Sequence, residues 1–427
     1  MDTTSLKQRS DRPRPLPLKS AGFLLSKYCL FFLLGMFIYA ALVEEFAILA
    51  LVGTILATAG LTKLWSQISL VGIECSQKIS KGRIFPGEYT EIGLQLINRK
   101  PLPLPWIQVE KEFPPTLKPD VALLPGGRAD YGCLRHITAL LWYRSILWRH
   151  RIYGTKRGYY LLSPTKITSG DIFGLYSQTI TLEMPDALIV YPNIFTIEGL
   201  SPPHLMPGGE IRARNQIFYD PTHPAGVREY CSGDSLRHIH WKVSARRQKL
   251  QVKVFEPAIA SKTALFLAVE TFFDEESCQE EKFELGIRAV ASIAYHWLEE
   301  GNPVGVFINT QLADSGRPAS LPPSSHRHQI GAILEILAKT TSSPSGCFEQ
   351  FIKNEGSRLP YGTTVVVVVD RLSDNLYLLL NNLQGDRRKL LILQTSTPER
   401  KAEQTAIPLY GIHYQGLDSK IIFEASR

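Results

Sequence analysis

Ala264-Leu265-Phe266-Leu267-Ala268-Val269 is an unbroken apolar run, and three more such runs follow it at residues 304–308, 365–369 and 390–393. Each has the length of one strand, and an apolar run without alternation suits a strand covered on both faces. Helical patterns fill the intervals. Residues 281–299 place Phe283, Ile287, Val290, Ile293, Ala294 and Trp297 at helical spacing before Gly301. A second helix carries Ile330, Ile333, Leu334 and Leu337. A third follows Ser373, a suitable N-cap, and carries Leu376, Leu379, Leu380 and Leu383. Strand and helix in alternation predict a doubly wound, mostly parallel α/β sheet over residues 259–427, with any ligand at the C-terminal ends of the strands.

The rhythm changes upstream. Over residues 65–195, short β-rich runs alternate with turn signals: Glu91-Ile92-Gly93-Leu94-Gln95-Leu96-Ile97 stops at Asn98, and Gly158-Tyr159-Tyr160-Leu161-Leu162 stops at Ser163-Pro164. This predicts antiparallel strands, with Pro86-Gly87-Glu88 as a turn and Pro101, Pro103 and Pro105 at a sheet edge. The segment reads as a β-sandwich of immunoglobulin-like size. The whole chain, 427 residues at 44% hydrophobic and 20% charged, has room for two or three domains and excludes a disordered or collagen-like protein. Its six cysteines show no CxxC spacing and read as reduced thiols.

Further upstream the charge is concentrated. Residues 1–27 hold Lys7, Arg9, Arg12, Arg14, Lys19 and Lys27 against Asp2 and Asp11, so four of the net seven positive charges sit in this tail. Two uncharged apolar runs follow, residues 28–43 and 46–62, separated by Glu44-Glu45 and closed by Lys63. They predict a two-helix transmembrane hairpin over residues 28–64, and a cleaved signal peptide fits poorly because a second apolar run follows the first. The positive-inside rule then places the tail, Lys63 and everything after Trp65 in the cytoplasm, a multi-pass topology in a cytoplasmic membrane.

The most distinctive stretch lies in the connection, residues 196–258: Arg228-x-Tyr230, Gly233-Asp234, Arg237-x-Ile239-x-Trp241 and Ser244-Ala245-Arg246, then a basic strand through Phe255. This pattern resembles the bacterial family known as domain of unknown function 58. The order of a membrane hairpin, a β-rich segment, the signature and a von Willebrand factor A-like α/β domain is similar to that of its members. Residues 98–106, Arg157-Gly158-Tyr159-Tyr160 and Asp171-Ile172-Phe173-Gly174-Leu175 also resemble family patterns, with Ile172 where proline is usual. The resemblance implies association with AAA+ ATPases of MoxR type and no common enzymatic activity. Taken alone, the signature suits a polar brace, Asp234 pairing with Arg237 or Arg246, or a partner-binding surface that includes Trp241.

Candidate chemistry is sparse. A metal-binding von Willebrand A domain presents D-x-S-x-S after its first strand, because an aspartate and two hydroxyls hold Mg²⁺. Here Glu270-Thr271-Phe272 stands at that point, with Asp370 at a later strand end as the other weak metal candidate. Cys231, His238 and His240 make an incomplete zinc set. Neither a nucleophile elbow, an H-E-x-x-H helix nor a phosphate loop is present, so no cofactor is expected. Between Asp130 and Asp171 the chain has no acid, while Arg144, Arg149, Arg151, Lys156 and Arg157 mix with aromatics, a pattern suited to anionic lipid headgroups or to single-stranded nucleic acid. The lipid surface is preferred because the hairpin already tethers this segment, and nucleic acid is not expected. These residues lead to the expectation of a membrane-anchored, non-enzymatic scaffold that recruits a protein. A metal-dependent hydrolase or transferase and a membrane-tethered nucleic-acid binder are the rivals.

Overall fold

The computed structural model describes residues 19–20, 27–200, 219–231, 236–257, 262–274, 277–278, 280–360, 362–384, 389–396, 407–415 and 420–425. The chain divides into two compact units, Met1–Tyr191 and Pro192–Arg427.

The first unit opens with α1 (Lys27–Leu42) and α2 (Phe46–Ser69), joined through Glu44, which adopts a left-handed backbone (φ 61°). Gly53 of α2 faces the Phe37 ring of α1, where a Cβ would stand 3.2 Å from the aromatic carbon. Among the described residues α2 is the helix long and apolar enough to cross a membrane. At 16 residues α1 falls short of the ~20 a crossing needs, so by length one helix qualifies where the sequence predicts two.

Two antiparallel sheets follow. One is four-stranded, in the order Ile73–Ile79, Tyr89–Asn98, Ser145–Gly154, Leu117–Pro119. The other is six-stranded, with Tyr176–Leu182, Thr165–Gly170, Leu104–Phe113 and Gly132–Leu140 at its centre and Lys19–Ser20 paired beside Tyr176–Leu182. Side chains alternate in and out, and both sheets feed the same two cores. One core joins Ile92 and Ile152 to Phe113 and Leu134. The second joins Leu96 to Leu104, Ile107, Val109 and Ile167, and also takes Leu70 from just past α2. Of the prolines expected at a sheet edge, Pro105 is placed elsewhere. Pro105 lies inside a central strand, tolerated because the register shifts between Leu104 and Ile107, a bulge that relieves the missing N–H.

In the second unit the strand Thr263–Leu267 is central. It pairs in parallel with Val304–Leu312 on one side and Thr364–Val369 on the other, and Leu390–Gln394 and Leu409–Gln415 continue the parallel sheet outward. Antiparallel strands Pro318–Ser324 and Lys420–Ala425 extend it at either side. Among the described residues five helices accompany it in chain order: α3 (Trp241–Arg247), α4 (Glu280–Glu299), α5 (Gln329–Lys339), α6 (Phe348–Arg358) and α7 (Asp374–Gln384). On one face Phe266, Val367 and Ile392 pack with Phe348 and Ile352 of α6 and Leu376 and Leu380 of α7. The Ser373 hydroxyl accepts the Leu376 N–H at 3.2 Å, the expected cap of α7. The first apolar run ends as strand at Leu267, and Val269 turns into a 3-10 segment, Val269–Phe272.

Candidate functional site

The strand order of the parallel sheet reverses between Thr263–Leu267 and Thr364–Val369, which are neighbours joined through the chain by elements on opposite sides. In a doubly wound sheet the crevice beyond such a switch point is the favoured binding site. Asp370 stands there, buried at the end of its strand. Its backbone N–H donates to Thr271 Oγ1 at 3.0 Å, and Thr271 Oγ1 donates in turn to the Ala268 carbonyl at 2.8 Å. Its Oδ1 accepts the hydroxyls of Thr395 (2.8 Å) and Ser396 (2.6 Å), two residues placed by the end of the strand Leu390–Gln394. Lys282, in the first turn of α4, brings its ammonium to 3.4 Å from the same oxygen and donates to Ser396 Oγ at 2.7 Å. A buried carboxylate thus has two hydroxyl donors and a counter-charge, the satisfaction that a buried ion requires.

Glu270 has another partner. Both its oxygens accept the Phe348 N–H, at 3.0 and 3.1 Å, so its carboxyl caps the N-terminus of α6, where a negative charge is favoured. Burial raises its pKa above the ordinary carboxylate value; the Phe348 N–H works against this and Glu349 adds to it. The two weak metal candidates are thus each engaged by a different set of partners. Among the described residues no group of three or more His, Cys, Asp or Glu side chains is arranged to hold a metal ion. Phe272 is core, packed edge-on against Phe283 at 5.6 Å, while Thr271 supplies a hydroxyl to the site. Thr271, Lys282, Thr395 and Ser396 escaped the sequence reading. Thr395 and Ser396 carried a usable signal, hydroxyls at the end of an apolar strand run just past Gln394; Lys282 carried none.

The signature folds as an antiparallel hairpin, Tyr219–Glu229 against Gln251–Pro257, with a 3-10 turn Leu236–His238 and α3 between its arms. Arg228 pairs in register with Val252, and Tyr230 donates its N–H to the Leu250 carbonyl at 2.9 Å. Buried Ser244 locks α3 onto the hairpin. Its hydroxyl accepts the Gln251 N–H at 2.8 Å and donates to the His240 carbonyl at 3.1 Å. His240 caps α3, its Nδ1 facing the Val243 N–H at 3.4 Å. His238 lies in the 3-10 turn and His240 at the helix cap, and among the described residues Cys231, His238 and His240 are not grouped to hold a metal ion. Gly233 and Asp234 lie outside the described residues, as does the side chain of Arg237, and the expected carboxylate–guanidinium brace falls with them. Trp241 is 68% exposed, and Lys242, Arg246 and Arg247 of α3 are exposed as well.

The acid-free stretch of sequence is not acid-free in space. Arg151 lies 3.8 Å from Glu91 and over the Tyr89 ring at 5.0 Å, Arg135 binds Glu110 at 2.7 Å, and Lys166 lies 3.7 Å from Glu112. Cross-strand neighbours supply the counter-charges. Arg144, Arg149 and Lys156 are exposed and Arg157 half-buried. Arg144 ends a loop whose Trp142 and Tyr143 are exposed, and Asn98 Nδ2 holds that loop through the Leu141 carbonyl at 3.1 Å. Nearby, Lys100 Nζ donates to the Ile68 carbonyl at 2.7 Å and to that of Ser69, tying the sheet to the end of α2.

Comparison with known proteins places these features. Residues 226–403, from the signature hairpin into the parallel sheet, match the family model "Protein of unknown function DUF58". The "Uncharacterized protein YeaD" of Bacillus subtilis (strain 168) is 24% identical over 346 residues, covering 80% of both chains. Among solved structures, the alkylpurine DNA glycosylase AlkC of Pseudomonas fluorescens is 11% identical at a TM-score of 0.16, over 37% of this chain and 43% of its own. A GH20 exo beta-N-acetylglucosaminidase of Vibrio harveyi is 10% identical at a TM-score of 0.20, over 70% of this chain and 57% of its own. At those scores neither likeness bears on fold or function. The family match thus takes in the signature hairpin and part of the parallel sheet, and the Bacillus relative aligns over four-fifths of the chain.

Proposed function

We propose that the protein is a membrane-anchored, non-enzymatic scaffold of the bacterial cytoplasmic membrane. In this reading α1 and α2 form an N-in, C-in hairpin, and a von Willebrand factor A-like α/β unit recruits a protein partner, an AAA+ ATPase of MoxR type. The observation that carries the reading is Trp241: 68% exposed, on a helix whose backbone Ser244 and His240 lock in place, with Lys242, Arg246 and Arg247 exposed on the same helix. A fixed aromatic among cations is suited to an acidic protein surface with an apolar pocket, since buried Trp and Arg carry much of the energy of protein interfaces. The engagement of Glu270 by α6 and of Asp370 by Thr395, Ser396 and Lys282 favours architecture over catalysis at the strand ends. The partner class comes from the family resemblance.

The test is capture of a purified MoxR-type ATPase by the full chain in detergent, with ATP and Mg²⁺. The combined variant Trp241→Ala, Arg246→Glu is expected to lose capture while keeping its circular dichroism and melting. Capture retained by the folded variant refutes the α3 surface, and no capture by the wild-type chain refutes the partner.

A further inference from the structure

The turn between the strands Thr165–Gly170 and Tyr176–Leu182 carries two exposed apolar side chains, Ile172 (63%) and Phe173 (66%). It is built to hold its shape. The Asp171 carboxylate is buried and accepts three backbone N–H groups of the turn: Phe173 (3.0 Å), Leu175 (3.3 Å) and Tyr176 (2.6 Å). Trp106 Nε1 donates to the Asp171 carbonyl at 3.0 Å, and Gly174 provides the left-handed step (φ 68°). A rigid turn that hides its one charge and exposes an isoleucine and a phenylalanine is unusual for a water-facing surface, where exposed apolar side chains gain nothing from being clustered.

Its position says what covers it. Tyr176, with Leu175 against it, packs on Ala59 of α2. Further along the same strand, Ile180 and Leu182 join the core that contains Leu70. The strand therefore runs alongside α2 in the direction from Ala59 to Leu70, and the turn that precedes Tyr176 points toward the apolar end of the helix. Only 14 residues of α2, Phe46 to Ala59, lie beyond that level, or ~21 Å of helix. A hydrocarbon core of ~30 Å is longer than that. The bilayer boundary must then reach the level of the turn. Lys63, exposed four residues past Ala59, suits the headgroups just below it.

We propose that residues 171–175 form a wedge that inserts Ile172 and Phe173 into the acyl–headgroup boundary beside α2, so that the first unit is held to the lipid by a second, rigid point. This rests on the reading of α2 as a membrane anchor. The depth is that of an interfacial element, ~5–10 Å, and the lipid requirement is for acyl chains, with no specific headgroup.

The test uses the full chain in phosphatidylethanolamine–phosphatidylglycerol liposomes with the photoreactive residue benzoylphenylalanine placed singly at Phe173, Ile55 or Val121, and mass spectrometry of the adducts. Ile55 is exposed on α2, and Val121 is exposed beyond Leu117, a residue of the core that lacks Leu70. Lipid adducts at positions 173 and 55, with none at 121, are expected. Adducts at 55 alone overturn the wedge and leave the anchor standing. None at 55 overturns the anchor and the wedge with it. A protein adduct at 173 in place of lipid gives the turn to a protein and also overturns the proposal.

Discussion

The parallel sheet of the second unit and the facing antiparallel sheets of the first handle polar residues in opposite ways. Thr263–Leu267, Thr364–Val369 and Leu390–Gln394 are buried at every position, so polar chemistry gathers where the strands stop, at Asp370, Thr395 and Ser396. In the antiparallel unit a polar layer lies inside. Lys111 sits between Val109 of one core and Phe113 of the other, and His150 between Trp148 and Ile152. His136, between Leu134 and Leu140, belongs to the opposite sheet from His150 and meets it at 2.8 Å between Nε2 atoms. A parallel strand covered on both sides has no inward position where a polar group can find a partner except its end. A strand facing another sheet can place a polar side chain mid-core, provided the chain around it or the sheet opposite returns a hydrogen bond.

The largest loss of stability is expected where the core is wholly apolar. Phe266 is fully buried and stacks on Phe307 at 4.9 Å. Phe266→Ala is expected to cost about 3–5 kcal/mol, since neither strand can move to fill the space. Urea unfolding of the full chain in detergent, followed by limited proteolysis of the second unit, measures this. A loss below about 1 kcal/mol would show that the sheet does collapse around the gap.

This difference also explains what the sequence revealed. Apolar runs without alternation exposed four strands of the parallel sheet, while Leu409–Gln415 was missed because its last three positions, His413, Tyr414 and Gln415, are exposed. The helix α6 was missed because its buried stripe is thin: Phe348, Ile352 and Gly356. At the switch point the acids were visible as strand-end residues, but their partners were not. Thr395 and Ser396 lie 25 and 26 residues from Asp370, and only the pairing of strands brings them to one oxygen. In the signature, residue types were legible and roles were not. Ser244 reads the same whether it braces or binds, and its contact with Gln251 depends on the hairpin closing.

A second, smaller effect tests the polar layer through its cation. Lys111 Nζ donates to the Ser163 carbonyl at 2.8 Å, and burial lowers its pKa to about 8. Unfolded, the ammonium would hold its proton to about pH 10.4. Between those values the unfolded chain binds more protons than the folded one, so stability rises with pH. Below pH 8 both states are charged and the full cost of burial applies. Lys111 is expected to contribute up to about 3 kcal/mol of the change in stability from pH 8 to 10.5, a contribution that Lys111→Met removes. Parallel slopes for the two proteins in unfolding experiments across that range would mean that Lys111 is neutralised in some other way.

The smallest expected effect lies at the histidine pair. In a contact of 2.8 Å between two Nε2 atoms one ring must donate and the other accept, so at least one imidazole is neutral. A second proton would set two N–H groups against each other inside the core. His136 also stacks on Trp148 at 4.9 Å, while Asp120 lies 3.6 Å from Nδ1 of His150 on the far side of the pair. Burial, and then the charge of His150, lower the pKa of His136 below its ordinary value. The folded state therefore resists a proton that the unfolded chain accepts below about pH 6.5, and stability falls as acid is added through that range. His136→Phe keeps the stack on Trp148 and removes the titration, at the expense of a partner for His150. The variant is expected to be less stable than the wild-type chain at pH 7, yet to lose less on going to pH 5. Thermal melting at the two pH values decides it, and an equal loss in both proteins would place the acid sensitivity of this unit outside the pair.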